Sequence, residues 1–417
     1  MRITHIVTAF PRSTDDLITP WLVELVRRQR ERGLDARVLA PAYRGGPADE
    51  PLPIPVRRFR YAPAAWESLT HDETVPDRLR RRPRYAALLP GYVLGGLRAA
   101  SQEGRQGRGP HIAHVHWPVP HALFGSSLRR GAQRAGGEAG PAAVVCSFYG
   151  AELSWVQNSK PWLRSLLSWA IRSADSVTAI SRSTASQVEA LGAASVRIVP
   201  YGSALADDGR PPSREALASR HAAGSSPEPV HLLFVGRLVE RKGVEILVRA
   251  LEMVRRTVPA HLTIVGEGAW KPTIEAVITE CRLAEHVTMA GRVPTQQLRS
   301  KYEAADVFVL PAVVDAKGDT EGLGVVLMEA LSLERPVIAS EVGGIVDIVT
   351  HGETGWLVPP GDRAALAEQI LQVAADPSGS RAVARRGRER IRKDFSWSSV
   401  LDRTDAAYAE ALENVRE

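Results

Sequence analysis

The chain has 417 residues, of which 44% are hydrophobic and 24% charged, and it contains two cysteines. This composition is that of an ordinary globular protein and excludes disordered, collagen-like and disulfide-stapled chains. The length predicts two domains, each large enough to bury its own core. The start of the sequence does not resemble a signal peptide, and no stretch reaches the ~18 apolar residues that cross a bilayer, so we expect a cytoplasmic protein.

The formal net charge of +6 is unevenly distributed, because Lys and Arg are in excess in residues 1–205 and acidic residues are in excess in residues 206–417. A basic surface favours an anionic partner. The sequence lacks recognisable nucleic-acid-binding modules and the interleaving of aromatic and basic residues, so we expect no nucleic-acid partner. Two arginine-rich stretches, residues 57–60 and 78–84, come before an apolar run over residues 85–97. This arrangement suits either peripheral binding to an anionic membrane or a solvated loop before a core helix. The arginines are Arg57, Arg58, Arg60, Arg78, Arg80, Arg81, Arg82 and Arg84.

Short apolar runs alternate with segments of helical length in the first half of the chain. A helical pattern covers residues 20–32 and ends at Gly33. The alternation predicts an α/β fold with a mostly parallel sheet covered by helices on both faces. The predicted strands are residues 3–10, 36–40, 111–116, 144–147, 176–181 and 196–200.

The second half repeats this pattern after a segment rich in Gly, Pro, Ser and Asp. We therefore predict two tandem, doubly wound, Rossmann-like domains that face each other across a cleft, since ligands of such sheets bind outside the carboxyl ends of the strands. The predicted boundaries are 1–203 for the first domain, 204–229 for a linker, 230–394 for the second domain and 395–417 for a helix that packs back toward the first. The predicted strands of the second domain are 230–236, 261–265, 286–290, 306–311 and 336–340, and its first predicted helices are 242–257, 270–283, 294–304 and 324–333.

A basic turn follows the first strand of the second domain. Gly236 permits a tight turn, and Arg237 and Lys242 provide two cations at the mouth of a predicted helix, a combination that suits a diphosphate. A solvated basic turn is the alternative. The next strand leads into the turn Gly266-Glu267-Gly268, which does not extend to the full dinucleotide-binding fingerprint.

An acidic, glycine-rich segment opens the predicted helix 324–333. Glu321 precedes two glycines, and Glu329 follows eight residues later, which predicts a separation of about two helical turns. Backbone amides at such a helix start face a phosphate or a sugar oxygen, and the carboxylates accept hydrogen bonds from hydroxyl groups. The alternative is a helix whose glutamates only suit its first turn and its solvent face.

Several motifs between residues 230 and 362 occur in an order that resembles the C-terminal domain of family 4 glycosyltransferases, which are retaining enzymes of the GT-B fold that use nucleotide-diphosphate sugars. The motifs are G-R-L-V-E-R-K-G, I-V-G-E-G, E-G-L-G-V-V-L-M-E-A-L, R-P-V-I-A-S-E-V-G-G-I-V-D-I-V and G-E-T-G-W-L-V-P-P-G-D. The resemblance implies catalytic roles for Arg237 and Lys242 at the donor diphosphate and for Glu321 at the transferred sugar, and it implies that Glu329 holds the ribose. The other implied donor-binding residues are Gly236, Gly266, Glu267, Gly268, Arg292, Val293, Gly322, Leu323 and Gly324.

The first domain is similar to the family in its alternation of elements but less so in its motifs. Tyr149 and Glu152 stand where members of the family often carry the His and Asp of a His-Gly-x-Asp segment. The candidate acceptor-side residues are Arg12, Ser13, His116, Trp117, Tyr149 and Glu152. His114 and His116 share one face of a strand without a carboxylate or cysteine cluster, and the chain has no Asp-x-Asp, so we expect no metal site.

The resemblance implies transfer of a sugar from a nucleotide-diphosphate donor to an acceptor hydroxyl, with retention and without a cofactor. The implied acceptor is a glycan precursor, a lipid-linked glycan or a small hydroxylated metabolite, and the enzyme is cytoplasmic or peripheral on the inner face of the membrane. Two alternatives stay open. One is a nucleotide-sugar epimerase or hydrolase of the same fold, and the other is a non-catalytic subunit that binds a sugar nucleotide.

Overall fold

The structure is a computed structural model that describes residues 1–13, 16, 18–46, 53–106, 108–136, 139–157, 161–203, 205–206 and 229–415. The chain forms two compact units, residues 1–199 together with 401–417, and residues 200–400. The predicted linker 204–229 lies outside the described residues, except for 205, 206 and 229.

The first unit is built on a parallel sheet with the strand order β3-β2-β1-β4-β5-β6-β7. Its central strands are buried on both faces, because helices cover both sides of a sheet of this kind. In β1, for example, Ile3 and Ile6 are fully buried. The strands are β1 (Arg2–Ile6), β2 (Asp35–Pro41), β3 (Val56–Phe59), β4 (Gly109–His116), β5 (Ala139–Phe148), β6 (Ser176–Ala179) and β7 (Arg197–Ile198).

The helices of the first unit follow the strands in the βα alternation that the sequence predicts. The first of them buries Leu22, Leu25 and Val26 and leaves its arginines at the surface, as an amphipathic helix does. The helices are α1 (Pro20–Glu31), α2 (Val75–Arg81), α3 (Leu89–Arg105), α4 (Pro118–Ala135), α5 (Ala151–Gln157), α6 (Pro161–Ser173) and α7 (Arg182–Glu189).

The second unit is built on another parallel sheet, with the order β10-β9-β8-β11-β12-β13. Its strands are β8 (Val230–Val235), β9 (Ala260–Val265), β10 (Val287–Gly291), β11 (Val307–Leu310), β12 (Val337–Ser340) and β13 (Trp356–Val358). Its helices are α8 (Val244–Val254), α9 (Lys271–Glu280), α10 (Thr295–Ala304), α11 (Val325–Ser332), α12 (Ile345–Ile348), α13 (Arg363–Ala375) and α14 (Pro377–Asp394).

The last helix, α15 (Trp397–Asn414), brings the end of the chain to the first unit. Arg32 forms salt bridges with Asp402 and Asp405 at 2.9 and 2.8 Å. Tyr408 is fully buried, and its hydroxyl accepts a hydrogen bond from Gln29 Nε2. The helix α15 therefore completes the core of the first unit.

The predicted fold class, two doubly wound parallel α/β sheets, is confirmed. Some element bounds were wrong. The first strand ends at Ile6 rather than at residue 10, and β3 and β13 were not predicted. Both are short strands at a sheet edge, where few apolar residues mark the strand in the sequence. Within the part of the chain that the structure describes, no helix combines the length and apolarity needed to span a bilayer.

Candidate functional site

Three of the five glycines predicted to bind the donor follow the carboxyl ends of β8 and β9: Gly236, Gly266 and Gly268. The amide of Gly236 donates to the carbonyl oxygen of Val265, and the amide of Gly266 donates to that of Gly291. Gly266 has a φ of 141°, and a Cβ there would lie 1.8 Å from the carbonyl oxygen of Gly236. Only glycine allows this approach. The turns at the ends of β8, β9 and β10 therefore pack directly against one another through their backbones.

The basic turn after β8 carries both predicted cations, but they differ in their surroundings. Arg237 is exposed, whereas Lys242 is buried with 8% of its surface exposed. The prediction that residue 242 begins a helix was wrong, because Lys242 ends a short 3₁₀ turn and Gly243 then adopts a left-handed conformation before α8 begins. This turn directs the Lys242 ammonium toward Glu321.

Glu321 is the centre of a buried charge cluster. Lys242 Nζ donates to its Oε2, and Arg241 Nη1 lies 3.4 Å from the same oxygen. Arg241 also lies 3.5 Å from Asp319. Burial alone raises the pKa of Glu321, but the charges of Lys242 and Arg241 outweigh it, so the pKa is lowered and the side chain is a carboxylate at neutral pH.

The loop that carries Glu321 is held by its neighbours. The amide of Leu323 donates to the Glu321 carboxylate, and the amide of Gly344 donates to the Glu321 carbonyl oxygen at 2.9 Å. Gly324 has a φ of 93° and begins α11. Because α11 starts at Val325, Glu321 lies in the loop, and the prediction of two helical turns between Glu321 and Glu329 was wrong.

Glu329 lies on α11 with hydrogen bonds to both carboxylate oxygens. Ser203 Oγ donates to Oε1 at 3.0 Å, and the Tyr302 hydroxyl donates to Oε2 at 2.8 Å. Burial raises the pKa of Glu329, and the two hydrogen bonds oppose this shift. The sequence analysis missed Ser203, Tyr302 and Arg241, which reach these carboxylates from distant parts of the chain.

The other predicted donor-side residues occupy turns of the same sheet. Glu267 is half-exposed, its carbonyl oxygen accepts from the amide of Leu238, and its carboxylate pairs with Lys271 at 3.3 Å. Gly268 approaches the carbonyl oxygen of Leu238, where a Cβ would lie only 2.2 Å away. The remaining residues follow β10 or precede α11: Arg292, Val293 and Gly322.

In the first unit the structure brings four of the six predicted acceptor-side residues together. His116 Nδ1 is hydrogen-bonded to the Tyr149 hydroxyl, and the Trp117 and Tyr149 rings lie 5.1 Å apart. Glu152 accepts from the amide of Tyr149 at 2.6 Å. The other two lie in the loop after β1, where Arg12 pairs with Asp16 at 2.9 Å and Ser13 is exposed.

His116 belongs to a buried histidine cluster that the sequence analysis did not predict. His5, His114 and His116 are buried, with their nearest ring nitrogens within 4.8 Å of one another. Each of the six nitrogens already has a hydrogen-bond partner in the protein. Burial lowers the pKa of His5 to about 4 and lowers the pKa values of His114 and His116 well below 6.5, so the three rings are neutral at pH 7.

The hydrogen bonds of this cluster form one directional chain, because a neutral imidazole donates from one nitrogen and accepts at the other. With the Gln29 amide oriented as in the structure, its oxygen accepts from His5 Nε2 at 2.7 Å. His5 Nδ1 then accepts from His116 Nε2 at 2.9 Å, and His116 Nδ1 accepts from the Tyr149 hydroxyl. The buried hydrogen-bond chain therefore fixes the position of the Tyr149 hydroxyl and makes this group the donor to His116 Nδ1.

Comparisons with known proteins agree with this architecture. A GDP-mannose-dependent alpha-(1-6)-phosphatidylinositol monomannoside mannosyltransferase from Mycolicibacterium smegmatis is 33% identical over 319 residues, which are 74% of this chain and 78% of the relative. A sucrose-phosphate synthase from Thermosynechococcus elongatus has a TM-score of 0.73 at 23% identity, over 98% of each chain. The structure of Anabaena HepE in complex with UDP has a TM-score of 0.71 at 16% identity, over 98% of this chain and 100% of the other.

The two parallel α/β units have the GT-B fold, and the 33% identical relative shows that the chain is a glycosyltransferase of the GT-B type. The family described as Glycosyltransferase Family 4 matches residues 20–205, and that described as Glycosyl transferases group 1 matches residues 218–390. The chain belongs to glycosyltransferase family 4, as its motifs predicted.

Proposed function

We propose that the protein is a retaining, metal-independent glycosyltransferase that needs no cofactor and moves a hexose from a nucleoside-diphosphate sugar to an acceptor hydroxyl. The observation that carries this proposal is the buried cluster of Glu321 with Lys242 and Arg241, beside the exposed Arg237 and the glycine turns after β8 and β9. Cations and bare backbone amides at this edge of a parallel sheet suit a diphosphate.

In the proposed reaction the acceptor oxygen attacks C1 of the sugar on the same face from which the diphosphate leaves. The C1–O bond breaks, its electron pair goes to the leaving phosphate, and that phosphate takes the acceptor proton. Lys242 and Arg237 stabilise the negative charge that grows on the leaving oxygen, an effect for which one preorganised donor contributes ~3 kcal/mol. Glu321 orients the sugar through its hydroxyl groups, and no side chain forms a covalent bond to it.

For the donor we propose GDP-mannose as the first candidate. The support is the mannosyltransferase that is 33% identical over most of both chains and is named as GDP-mannose-dependent. In this proposal Glu329 accepts hydrogen bonds from the two ribose hydroxyls, which GDP-, UDP- and ADP-sugars present and dTDP-sugars do not. We propose that the base lies near Arg292 and Val293, whose identities do not indicate which base is bound, so the base is the first property to measure.

For the acceptor we propose a glycan precursor or a lipid-linked glycan first and a small hydroxylated metabolite second. The exposed residues Arg80, Arg81, Arg82 and Arg84 provide positive charge in the first unit. Trp66 and Leu94 are 66% and 52% exposed in the same unit. Cationic and apolar groups of this kind suit peripheral binding to an anionic membrane at its cytoplasmic face, which is where we place the enzyme.

The first test is thermal unfolding with GDP-, UDP-, ADP- and dTDP-sugars. A donor at ~100 times its dissociation constant stabilises the protein by ~2.7 kcal/mol. We expect this with one nucleotide class and expect its loss in Arg237→Ala, since that exposed side chain can be removed without disturbing the core. No stabilisation by any donor contradicts the proposal.

Turnover then separates the alternatives. Transfer to a glycan acceptor with retained anomeric configuration, read by proton NMR and unchanged by EDTA, is the expected result. Free sugar released equally with and without an acceptor identifies a hydrolase, and donor binding without any turnover identifies a binding subunit.

A further inference from the structure

Three aromatic side chains cluster in the first unit near the hydroxyl of Tyr149. The ring centroids of Trp21 and Tyr149 are 5.2 Å apart, those of Trp117 and Tyr149 are 5.1 Å apart, and those of the two tryptophans are 6.2 Å apart. All three side chains are half-buried, so they are not part of the closed core. We call Trp21, Trp117 and Tyr149 the aromatic cluster.

The aromatic cluster lies where a doubly wound sheet binds ligands. In the first sheet β2 lies on one side of β1 and β4 on the other, so the strand order reverses between β1 and β4. Trp21 is the second residue of the helix after β1, Trp117 follows the last residue of β4, and Tyr149 follows the last residue of β5. Ligands of such sheets bind in the crevice outside these carboxyl ends.

The backbone adopts an unusual conformation at one tryptophan of the aromatic cluster and two residues before the other. Trp117 has φ 53° and ψ 79°, and Thr19, two residues before Trp21, has φ 47° and ψ 51°. Side chains other than glycine rarely adopt this left-handed conformation, and it persists where the surrounding structure forces it, often at binding sites. The two rings are thus held at the sheet edge at a conformational cost.

The ring geometry favours a sugar over other flat or apolar ligands. The planes of the three pairs are inclined by 64°, 50° and 47°, so no two rings form a parallel slot in which a nucleobase stacks on both faces. A pyranose has an apolar C–H face and a rim of hydroxyl groups. The half-buried aromatic rings match the face, while the Tyr149 hydroxyl is turned inward to the buried His116.

We propose that the aromatic cluster binds a pyranose ring of the acceptor, so that the acceptor of this enzyme is a glycan or glycoside. The inference rests on the proposed function for the reaction that follows binding. The binding itself involves the first unit alone and can be measured without a donor.

The test is saturation-transfer NMR with methyl α-D-mannopyranoside and methyl α-D-glucopyranoside, on the full chain. We expect saturation transfer from the protein to at least one glycoside and affinity about tenfold weaker in Trp21→Leu. Trp21→Phe keeps an aromatic face and is expected to retain most of the binding. The matched control is Trp162→Leu, which removes a tryptophan of the same unit that is 61% exposed on α6 and is expected to bind as the wild type does.

Equal saturation transfer to glycerol or myo-inositol, or equal glycoside binding by wild type and Trp21→Leu, overturns the inference. So does a wild type that binds neither glycoside. Thermal unfolding with the nucleotide donors is measured on the same proteins. Stabilisation of Trp21→Leu by the donor shows that the variant is folded. Failure of the wild type to bind any donor counts against the proposed function. The glycoside result does not depend on the donor and is judged separately.

Discussion

Lys242 Nζ donates a hydrogen bond to Glu321 Oε2, and the two residues are 8% and 9% exposed. The two charges are 79 positions apart in the sequence and neutralise each other inside the second unit. Removing one partner of such a pair leaves a buried charge without compensation, which costs about 3–5 kcal/mol of folding free energy. The pair therefore links the stability of the unit to its proposed chemistry.

The first prediction concerns this pair. Lys242→Met removes the cation that most lowers the pKa of Glu321 and is expected to reduce kcat by about 10²–10³, as loss of a preorganised charge at a leaving group does. The measurement is the rate of nucleoside diphosphate release in the presence of acceptor. The control is Arg256→Ala, because Arg256 is exposed and pairs only locally with Glu252. A Lys242→Met rate within twofold of wild type would show that this cation does not act on the leaving group.

The second prediction concerns Glu329. Tyr302→Phe removes a hydrogen bond that favours the carboxylate form, so the pKa of Glu329, already raised by burial, is expected to rise further. Ribose hydroxyls donate to the ionised form, and donor binding is therefore expected to weaken as pH falls through this pKa. The midpoint of donor affinity against pH should move upward in Tyr302→Phe and stay in place in Ser300→Ala, a change at an exposed residue of the same helix. An unchanged midpoint in Tyr302→Phe would show that Glu329 does not bind the ribose.

The third prediction separates backbone conformation from steric contact at Gly266. A Cβ in Gly266→Ala meets the carbonyl oxygen of Gly236 at 1.8 Å, whereas Gly361→Ala, with φ 83°, has no atom within 4 Å. Gly361→Ala is expected to cost only ~1–2 kcal/mol for the left-handed conformation. Gly266→Ala is expected to cost more and to abolish donor binding, measured by urea unfolding and by thermal unfolding with donor. Similar losses in both variants would show that the close approach has no role.

The fourth prediction concerns acid stability. Burial, aided by the charges of Arg58 and Arg12, lowers the pKa of His71 to about 4. The unfolded chain binds this proton near pH 6.5, so the stabilising contribution is complete above pH 6.5 and is lost as pH falls toward 4. Between pH 7.5 and 5.0 His71 alone is expected to account for about 2 kcal/mol of lost stability.

Urea unfolding at both pH values tests this expectation. His71→Asn suits the left-handed backbone at this residue, where φ is 82°. It should show a smaller loss of stability on acidification than wild type, while His351→Asn, on an exposed turn, should match wild type. If His71→Asn loses as much stability as wild type, the buried neutral imidazole is not the cause.

The sequence predicts the fold because the alternation of apolar and helical segments is local. It also predicts that Lys242 and Glu321 belong to one site, through motifs with fixed spacing. It does not predict contacts such as Tyr302 with Glu329 or Gln29 with His5, because these join distant residues whose spacing follows no pattern. The histidine cluster was missed for the same reason, since β1 and β4 are adjacent in the sheet but about a hundred residues apart along the chain.

The hydrogen bond between Gln29 and Tyr408 joins residues 379 positions apart. Tyr408 also contacts His114 Nδ1 at 2.8 Å in the buried histidine cluster. In a chain made from its N-terminus, residues 200–400 are complete before residues 401–417 are made. The first unit therefore lacks its last helix until after the whole second unit has left the ribosome. Its polar interior is satisfied only then, so the half of the enzyme that is made first is the half that matures last.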